Sequence, residues 1–95
     1  MAETETTTRP EVLRRNQVLP PYAVILHNDD VNDMIHVVRS IMQCVPGISP
    51  PQAVGIMLEA HNSGQAVVIV CPLELAELYR DRLESKGLTA TIEKA

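Results

Sequence analysis

A cluster of hydrogen-bond acceptors interrupts the chain between residues 27 and 33, where the sequence reads HNDDVND. An apolar run, residues 22–26, precedes it, and apolar residues at helical spacing follow it. Carboxylate and amide oxygens accept hydrogen bonds, and an ionised carboxylate also attracts positive charge. The cluster could therefore hold a metal ion, receive a positively charged ligand, or form the polar turn between a strand and a helix.

Metal binding and nucleophilic catalysis both fit the chain poorly. A calcium loop needs a glycine at its sixth position and a distal glutamate, and the acidic cluster has neither. His27 and His36 are not at the four-residue spacing of a zinc pair on a helix. Cys44 and Cys71 lie in apolar runs without an activating neighbour, which predicts two buried, reduced side chains. We therefore predict no metal, no cofactor and no catalytic residue.

Composition narrows the classes of partner. The chain is 45% hydrophobic and 21% charged, which is typical of a globular domain. Its net charge is −4, and residues 1–19 hold three acids and three bases, so the excess lies in the remainder. An acidic domain repels phosphate backbones, and Tyr22 and Tyr79 are the only aromatic residues that could stack on bases. The balance favours a cationic ligand over nucleic acid.

The first part of the chain reads as a flexible tail followed by a folded domain. Residues 1–19 have no apolar periodicity and Pro20 marks a boundary, so we predict a tail over 1–19 and a core domain over 20–95. The opening residues contain no apolar stretch typical of a signal peptide, and no segment reaches transmembrane length. These patterns predict a cytoplasmic protein that does not enter a membrane.

Local signals divide the core domain into six elements. Residues 22–26 predict a strand covered on both faces, and residues 33–45 predict a helix with Asn32 as its N-cap. A second helix begins at a capping box formed by Ser49 and Gln52, and ends at Gly64. Its apolar stripe is Ala53, Ile56, Met57 and Ala60.

The second half of the domain continues the alternation. Residues 65–71 predict a central strand, and residues 72–86 predict a helix that ends at Gly87. The apolar face of this helix is predicted as Leu75, Tyr79 and Leu83, and a last strand, 88–92, places Leu88, Ala90 and Ile92 on one face. The fold class is α+β, with the order β-α-α-β-α-β and a three-stranded antiparallel sheet packed against helices on one side.

Three segments carry a resemblance to a known family. "YAVILHNDDVNDM", "MLEAHNSG" and "LTATIEKA" resemble, in this order, the ClpS family, the N-degron adaptors of the ATP-dependent Clp protease in bacteria, cyanobacteria and plastids. The likeness runs from Pro20 to Ala95. It implies a non-enzymatic adaptor that binds proteins by an N-terminal Phe, Tyr, Trp or Leu. It also implies delivery to a Clp AAA+ unfoldase of the ClpA or ClpC type through the N-terminal domain of the unfoldase.

The resemblance also implies residue roles. The groups are, for the α-amino group, Asn28, Asp29 and His61; for the hydrophobic pocket, Met34, Val37, Met57, Ala60 and Leu88; for the rim, Asp30 and Asn32; and for unfoldase docking, Glu74, Tyr79 and Arg80. Such adaptors also use a tail like residues 1–19 to engage the unfoldase. The alternative is a regulatory module that docks on the unfoldase without reading N-termini.

Elementary chemistry agrees with these roles. A free α-amino group has a pKa of about 8 and is mostly protonated at neutral pH, so it offers donors and positive charge. Asp29, Asn28 and a neutral His61 could each accept one hydrogen bond from it. We expect the acceptor cluster to be unpaired until this ligand arrives.

The chain departs from the family at three of these positions. Ala60 replaces a frequent β-branched residue, Asn32 replaces a frequent threonine, and Tyr79 replaces a lysine.

Overall fold

The computed structural model describes residues 20–95, so the predicted flexible tail, 1–19, lies outside the described residues. Six elements follow in the predicted order. They are β1 (Tyr22–His27), α1 (Met34–Cys44), α2 (Pro50–Ser63), β2 (Gln65–Cys71), α3 (Leu73–Ser85) and β3 (Thr89–Lys94). The α+β class and the β-α-α-β-α-β order are confirmed.

The sheet is antiparallel and its strand order is β2-β1-β3. The prediction that residues 65–71 form a central strand is therefore wrong, because β1 is central and β2 is an edge. Val67 and Val70 of β2 are 48% and 51% exposed, so its apolar run does not reflect complete burial. By contrast, the four interior residues of β1 are all buried, as predicted.

One face of the sheet packs against the helices and forms the core. Val24 and Leu26 of β1 lie in a single cluster of buried residues with Ile41 of α1, Ala60 of α2 and Leu83 of α3. Leu26 is paired with Ala66 and Ala90 on the neighbouring strands, and both partners are buried. The core is therefore aliphatic, and each helix contributes to it.

The N-cap of α1 differs from the prediction. Asp33 is the cap, and its side chain accepts a hydrogen bond from the backbone N–H of Ile35 at 2.9 Å. Asn32 is not available for this role because its side chain bonds Asp29 and the carbonyl of Gly87. A tertiary contact, rather than local capping chemistry, determines which polar residue starts the helix.

Both predicted ends of α2 are confirmed. The backbone N–H of Ser49 donates to the Gln52 side chain at 2.8 Å, and the backbone N–H of Gln52 donates to Ser49 Oγ at 3.3 Å. Gly64 ends the helix with φ at 92°, in the left-handed region where glycine is favoured. The end of α2 is therefore fixed by its own residues, which matters because His61 lies in its last turn.

Two of the three residues predicted for the apolar face of helix α3 are buried, and the third is not. Ala76, Tyr79 and Leu83 are buried, whereas Leu75 is 41% exposed. Spacings of three and four residues place Ala76 on the buried stripe, and a small apolar residue there suits the close approach of helix and sheet. After Gly87, Leu88 and Ala90 are buried and Ile92 packs against the core, as predicted for one face of β3.

Cys44 and Cys71 are buried and free of disulfides, which confirms the prediction of two buried thiols. Burial raises the pKa of both thiols, and at Cys44 the charges of Lys86 and Arg82 partly oppose the shift.

Within residues 20–95, no helix combines the length and apolar character that crossing a membrane requires.

Candidate functional site

A pocket of about 150 Å³ opens where the loop after β1 meets α1, the end of α2 and the start of β3. It contains every residue that the sequence analysis assigned to amine binding, to the hydrophobic wall and to the rim. The lining residues are Leu26, His27, Asn28, Asp29, Asp30, Asn32, Met34, Val37, Met57, Ala60, His61 and Leu88. The fold thus gathers polar acceptors and aliphatic side chains in one cavity.

Backbone hydrogen bonds bring the polar side of the pocket together. The N–H of Asn28 donates to the carbonyl of Gly64 at 2.9 Å, and the N–H of Gly64 donates to the carbonyl of Ala60, also at 2.9 Å. The loop after β1 is therefore anchored to the end of α2. This anchor brings Asn28 to the same cavity as His61, which lies in the last turn of α2.

The apolar wall comes from three elements. Met34 and Val37 are one turn apart on α1, Met57 and Ala60 are one turn apart on α2, and Leu88 follows α3. Ala60 and Leu88 are buried, whereas Met34 is 44% exposed at the mouth. Because Met is unbranched and flexible, the two methionines let the wall adapt to side chains of different shape.

Asp29 organises the loop between β1 and α1, residues 28–33, which we call the acidic loop. Its Oδ1 accepts from the backbone N–H groups of Val31 and Asn32 at 3.2 and 3.0 Å, and from Asn32 Nδ2 at 2.9 Å. Among residues 20–95, its Oδ2 accepts only from Asn32 Nδ2, at 3.0 Å. The expectation that the acceptor cluster is unpaired is therefore wrong for Asp29, because a short loop satisfies its own donors with the nearest carboxylate. Oδ2 retains acceptor capacity, and the carboxylate retains its charge.

Three further polar side chains of the pocket have no hydrogen-bond partner in the described part of the chain. The side chains of Asn28, Asp30 and His61 make no hydrogen bond with any other described residue. Asn28 and Asp30 flank Asp29, and His61 lines the same cavity from α2. Their oxygens and the imidazole ring can therefore accept hydrogen bonds from a ligand that enters the pocket.

Two lining residues escaped the sequence analysis. Leu26 is 2% exposed, and His27 bonds Thr91 Oγ1 through Nε2 at 2.7 Å. Strand periodicity places Leu26 and Asn28 on the same side of the chain, so the pattern could have assigned Leu26 to the pocket. No comparable sequence signal identifies His27, because its position depends on a residue of β3.

The residues predicted for unfoldase docking lie on α3, away from the pocket. Glu74 is exposed in the first turn. Arg80 Nε is 3.0 Å from the Asp81 carboxylate and 3.8 Å from that of Glu84. Tyr79 is only 8% exposed and belongs to the core cluster, so it offers little surface to a docking partner. The helix phase places it on the buried stripe.

Metal ligation has no suitable arrangement in the described part of the chain. Residues 20–95 contain no group of three His, Cys, Asp or Glu side chains placed to hold an ion. Many acceptor positions of the acidic loop are instead occupied by hydrogen bonds within the loop, as at Asp29 Oδ1. The cavity is therefore best described as a binding site that joins hydrogen-bond acceptors to an aliphatic wall.

A small α+β domain with such a pocket is typical of a binding module, and sequence comparison defines it further. The family model described as ATP-dependent Clp protease adaptor protein ClpS matches residues 17–91. The chain belongs to the ClpS family. It is an adaptor of the Clp protease and not an enzyme.

Individual relatives agree with this assignment. The chain is 48% identical to the ClpS adapter of Synechococcus elongatus over 94% of both chains. It is 42% identical to the chloroplastic adapter CLPS1 of Arabidopsis thaliana over 87% of this chain and 52% of the plant protein. A solved structure of Agrobacterium tumefaciens ClpS2 bound to L-phenylalaninamide is 28% identical, with a TM-score of 0.75, and covers 80% of this chain and 98% of its own.

Proposed function

We propose that this adaptor binds substrate proteins through a free N-terminal Phe, Tyr, Trp or Leu. It then delivers them to a ClpA- or ClpC-type unfoldase by docking on the N-terminal domain of the unfoldase. The observation that carries the proposal is the single cavity in which Asn28, Asp29 and His61 meet an aliphatic wall. A cytoplasmic site of action is part of the same proposal.

The polar side of the pocket suits a protonated α-amino group. Such a group has three N–H donors and a positive charge at neutral pH. Asp29 Oδ2, the amide oxygen of Asn28 and a neutral imidazole nitrogen of His61 provide three acceptors around one cavity. Each charge-assisted hydrogen bond contributes roughly 1.5–3 kcal/mol net. Acceptors of this kind distinguish a free chain terminus from an internal peptide bond.

The apolar side of the pocket suits a bulky first residue. Met34, Val37, Met57, Ala60 and Leu88 line the remainder of the cavity. Burying a Leu or Phe side chain against such a wall stabilises the complex by about 1.5–3 kcal/mol. L-phenylalaninamide, bound to the Agrobacterium relative, has a free α-amino group, a benzyl side chain and no carboxylate, so it resembles the first residue of a polypeptide.

A peptide titration tests the proposal. A peptide that begins with Phe should bind in the micromolar range, about −8 kcal/mol. The same peptide with an acetylated N-terminus should bind at least tenfold more weakly, because acetylation removes the charge and two donors. Equal binding of both peptides, or no binding of either, would favour the regulatory module that docks on the unfoldase without reading N-termini.

Matched variants assign the effect to the pocket. Asp29→Ala should weaken binding of the free peptide at least tenfold, because it removes the carboxylate that attracts the charged α-amino group. The loop holds this carboxylate with four hydrogen bonds. His61→Ala removes an acceptor that α2 contributes, without changing that loop, and should also weaken binding of the free peptide. Glu93→Gln, an exposed acid on β3 outside the pocket, is the control for loss of one negative charge and should leave affinity unchanged.

A further inference from the structure

The side-chain amide of Asn32 is fully engaged by the fold. Nδ2 donates to Asp29 Oδ1 and Oδ2 at 2.9 and 3.0 Å, and to the carbonyl of Gly87 at 2.9 Å. An amide nitrogen has two hydrogens, so one is shared between the two carboxylate oxygens and the other reaches Gly87. Asn32 therefore bridges the acidic loop and the turn after α3.

The two ends of this bridge are the two functional sides of the pocket. Asp29 supplies the carboxylate of the polar side, and Gly87 directly precedes Leu88, which supplies part of the aliphatic wall. Gly87 has φ at 85°, so the chain reverses here in the left-handed region before β3 begins. The bridge thus fixes the separation between the charge and the wall.

The two oxygens of the Asp29 carboxylate are unequally occupied. Oδ1 is saturated by three donors, two of them backbone N–H groups. Oδ2 has one partner within the described residues, the shared hydrogen of Asn32. Without Asn32 Nδ2, the carboxylate would still accept from the backbone at Oδ1, but no side chain would fix the direction of Oδ2.

We propose that Asn32 is a positioning residue for amine recognition. It orients Asp29 Oδ2 toward the α-amino group and holds it at a set distance from Leu88. The ligand class is a primary ammonium group with a bulky apolar substituent on the adjacent carbon. The inference rests on the proposed function of the pocket and adds a residue that acts through Asp29.

His36 provides a matched control, because it contacts the same turn from helix α1. Its Nε2 is 2.7 Å from the carbonyl of Lys86, and since a carbonyl only accepts, Nε2 carries the hydrogen. His36 therefore holds the turn after α3 from helix α1 without a hydrogen bond to Asp29. Loss of His36 loosens the turn alone, whereas loss of Asn32 loosens the turn and the carboxylate together.

The experiment compares Asn32→Ala, Asn32→Thr and His36→Ala with the unmodified full chain. For each, the affinities of the free and the acetylated Phe peptide and the melting temperature are measured. Asn32→Ala should weaken binding of the free peptide about tenfold and binding of the acetylated peptide less than twofold. The ratio of the two affinities, free over acetylated, therefore falls. Asn32→Thr should recover part of the ratio, because a hydroxyl has one hydrogen and can donate to only one of the two acceptors. His36→Ala should lower the melting temperature with the ratio preserved.

The outcomes separate this inference from the proposed function. If the unmodified chain does not distinguish free from acetylated peptide, the proposed function itself fails. If the unmodified chain distinguishes them and Asn32→Ala does so equally well, only the role of Asn32 fails. A ratio that falls as far in His36→Ala as in Asn32→Ala would also overturn it, because a general loosening of the turn would then explain the effect. Should Asn32→Ala not fold, the ratio in Asn32→Thr decides, and an unchanged ratio there refutes the role.

Discussion

The backbone N–H of Asn28 donates to the carbonyl of Gly64 across 2.9 Å, which joins the end of β1 to the end of α2. Gly64 reaches this position with φ at 92°. The bond places Asn28 at the same cavity as His61 although the two residues are distant in sequence. The conformation of one glycine therefore supports the polar side of the pocket.

Gly64→Ala should destabilise the domain and weaken binding of a Phe peptide. An L-residue in the left-handed region costs about 1–2 kcal/mol, and relief of that strain would move the carbonyl that Asn28 contacts. For a domain of this size, each kcal/mol lowers the melting temperature by roughly 4–8 °C. Thermal melts and peptide titrations of the same samples measure both effects.

Gly55→Ala is the matched control for that substitution. Gly55 lies within α2, and an added Cβ there meets nothing within 4 Å. Alanine is favoured over glycine inside a helix by about 0.5–1 kcal/mol, so the variant should melt at a higher temperature and bind normally. Equal melting temperatures for the two variants would contradict the role assigned to the conformation of Gly64.

Local chemistry made the ends of α2 predictable. Ser49 and Gln52 bond each other's backbone within one turn, and Gly64 supplies its own left-handed conformation, so neither signal depends on distant residues.

The clustering of the site residues was predictable only through family resemblance, since the segments that carry Asn28, His61 and Leu88 are far apart in sequence.

Tertiary relationships explain the errors. Whether residues 65–71 form a central or an edge strand depends on which strands pair, and an apolar run alone does not encode this. Asn32 and Asp33 are both good caps, and the contact between Asn32 and Gly87 decides between them. The internal pairing of Asp29 has a local cause instead, because its carboxylate accepts from backbone N–H groups two and three residues further along the loop.

Binding of a Phe peptide should weaken above neutral pH. Above about pH 8 the free α-amino group loses its proton and its charge, so the attraction to Asp29 weakens. Titrations across roughly pH 7–9 should show the affinity falling as pH rises, and a flat curve would contradict the assigned contacts. The acetylated peptide has no amine to titrate, so its binding should not change over the same range.

The buried cysteines should make stability fall at alkaline pH. Burial raises the pKa of Cys44 and of Cys71 above the ordinary value of 9.0, so above that pH the unfolded chain releases thiol protons that the folded chain retains. Their contribution to stability is complete below the ordinary value and is lost as pH rises toward the folded-state pKa. Urea midpoints should be measured at pH values below and above 9.0. They should fall more steeply with pH for the unmodified chain than for the double variant Cys44→Ala/Cys71→Ala. Parallel slopes would contradict the prediction.

Deletion of residues 1–17 should separate binding from delivery. In the described part of the chain the pocket is lined by residues between 26 and 88, so we expect the truncated adaptor to bind a Phe peptide with nearly unchanged affinity. We expect delivery to be abolished, because adaptors that this chain resembles use such a tail to engage the unfoldase. Degradation assays with the Clp unfoldase and protease decide this, and full delivery by the truncated adaptor would refute the role of the tail.

The preference among bulky first residues should depend on Ala60. This residue is 3% exposed and lies one turn after Met57 on the wall of the pocket. A β-branched residue there would narrow the cavity, whereas Ala leaves room that a flat aromatic ring can enter. A Leu side chain would underfill the same space and forfeit contacts. We therefore expect Phe, Tyr and Trp to bind more tightly than Leu by about 1 kcal/mol, or roughly fivefold.

Ala60→Val tests that reasoning directly. The two added methyl groups should shrink the difference between aromatic and Leu peptides, mainly by weakening Trp, because the largest ring needs the most room. The measurement uses four peptides that differ only in the first residue, titrated against both proteins. Because Ala60 also belongs to the core, a melting curve of the variant accompanies the titrations. If Leu binds the unmodified protein as tightly as Phe, or if Ala60→Val leaves the ranking unchanged, Met34 or Met57 fills the space beside Ala60.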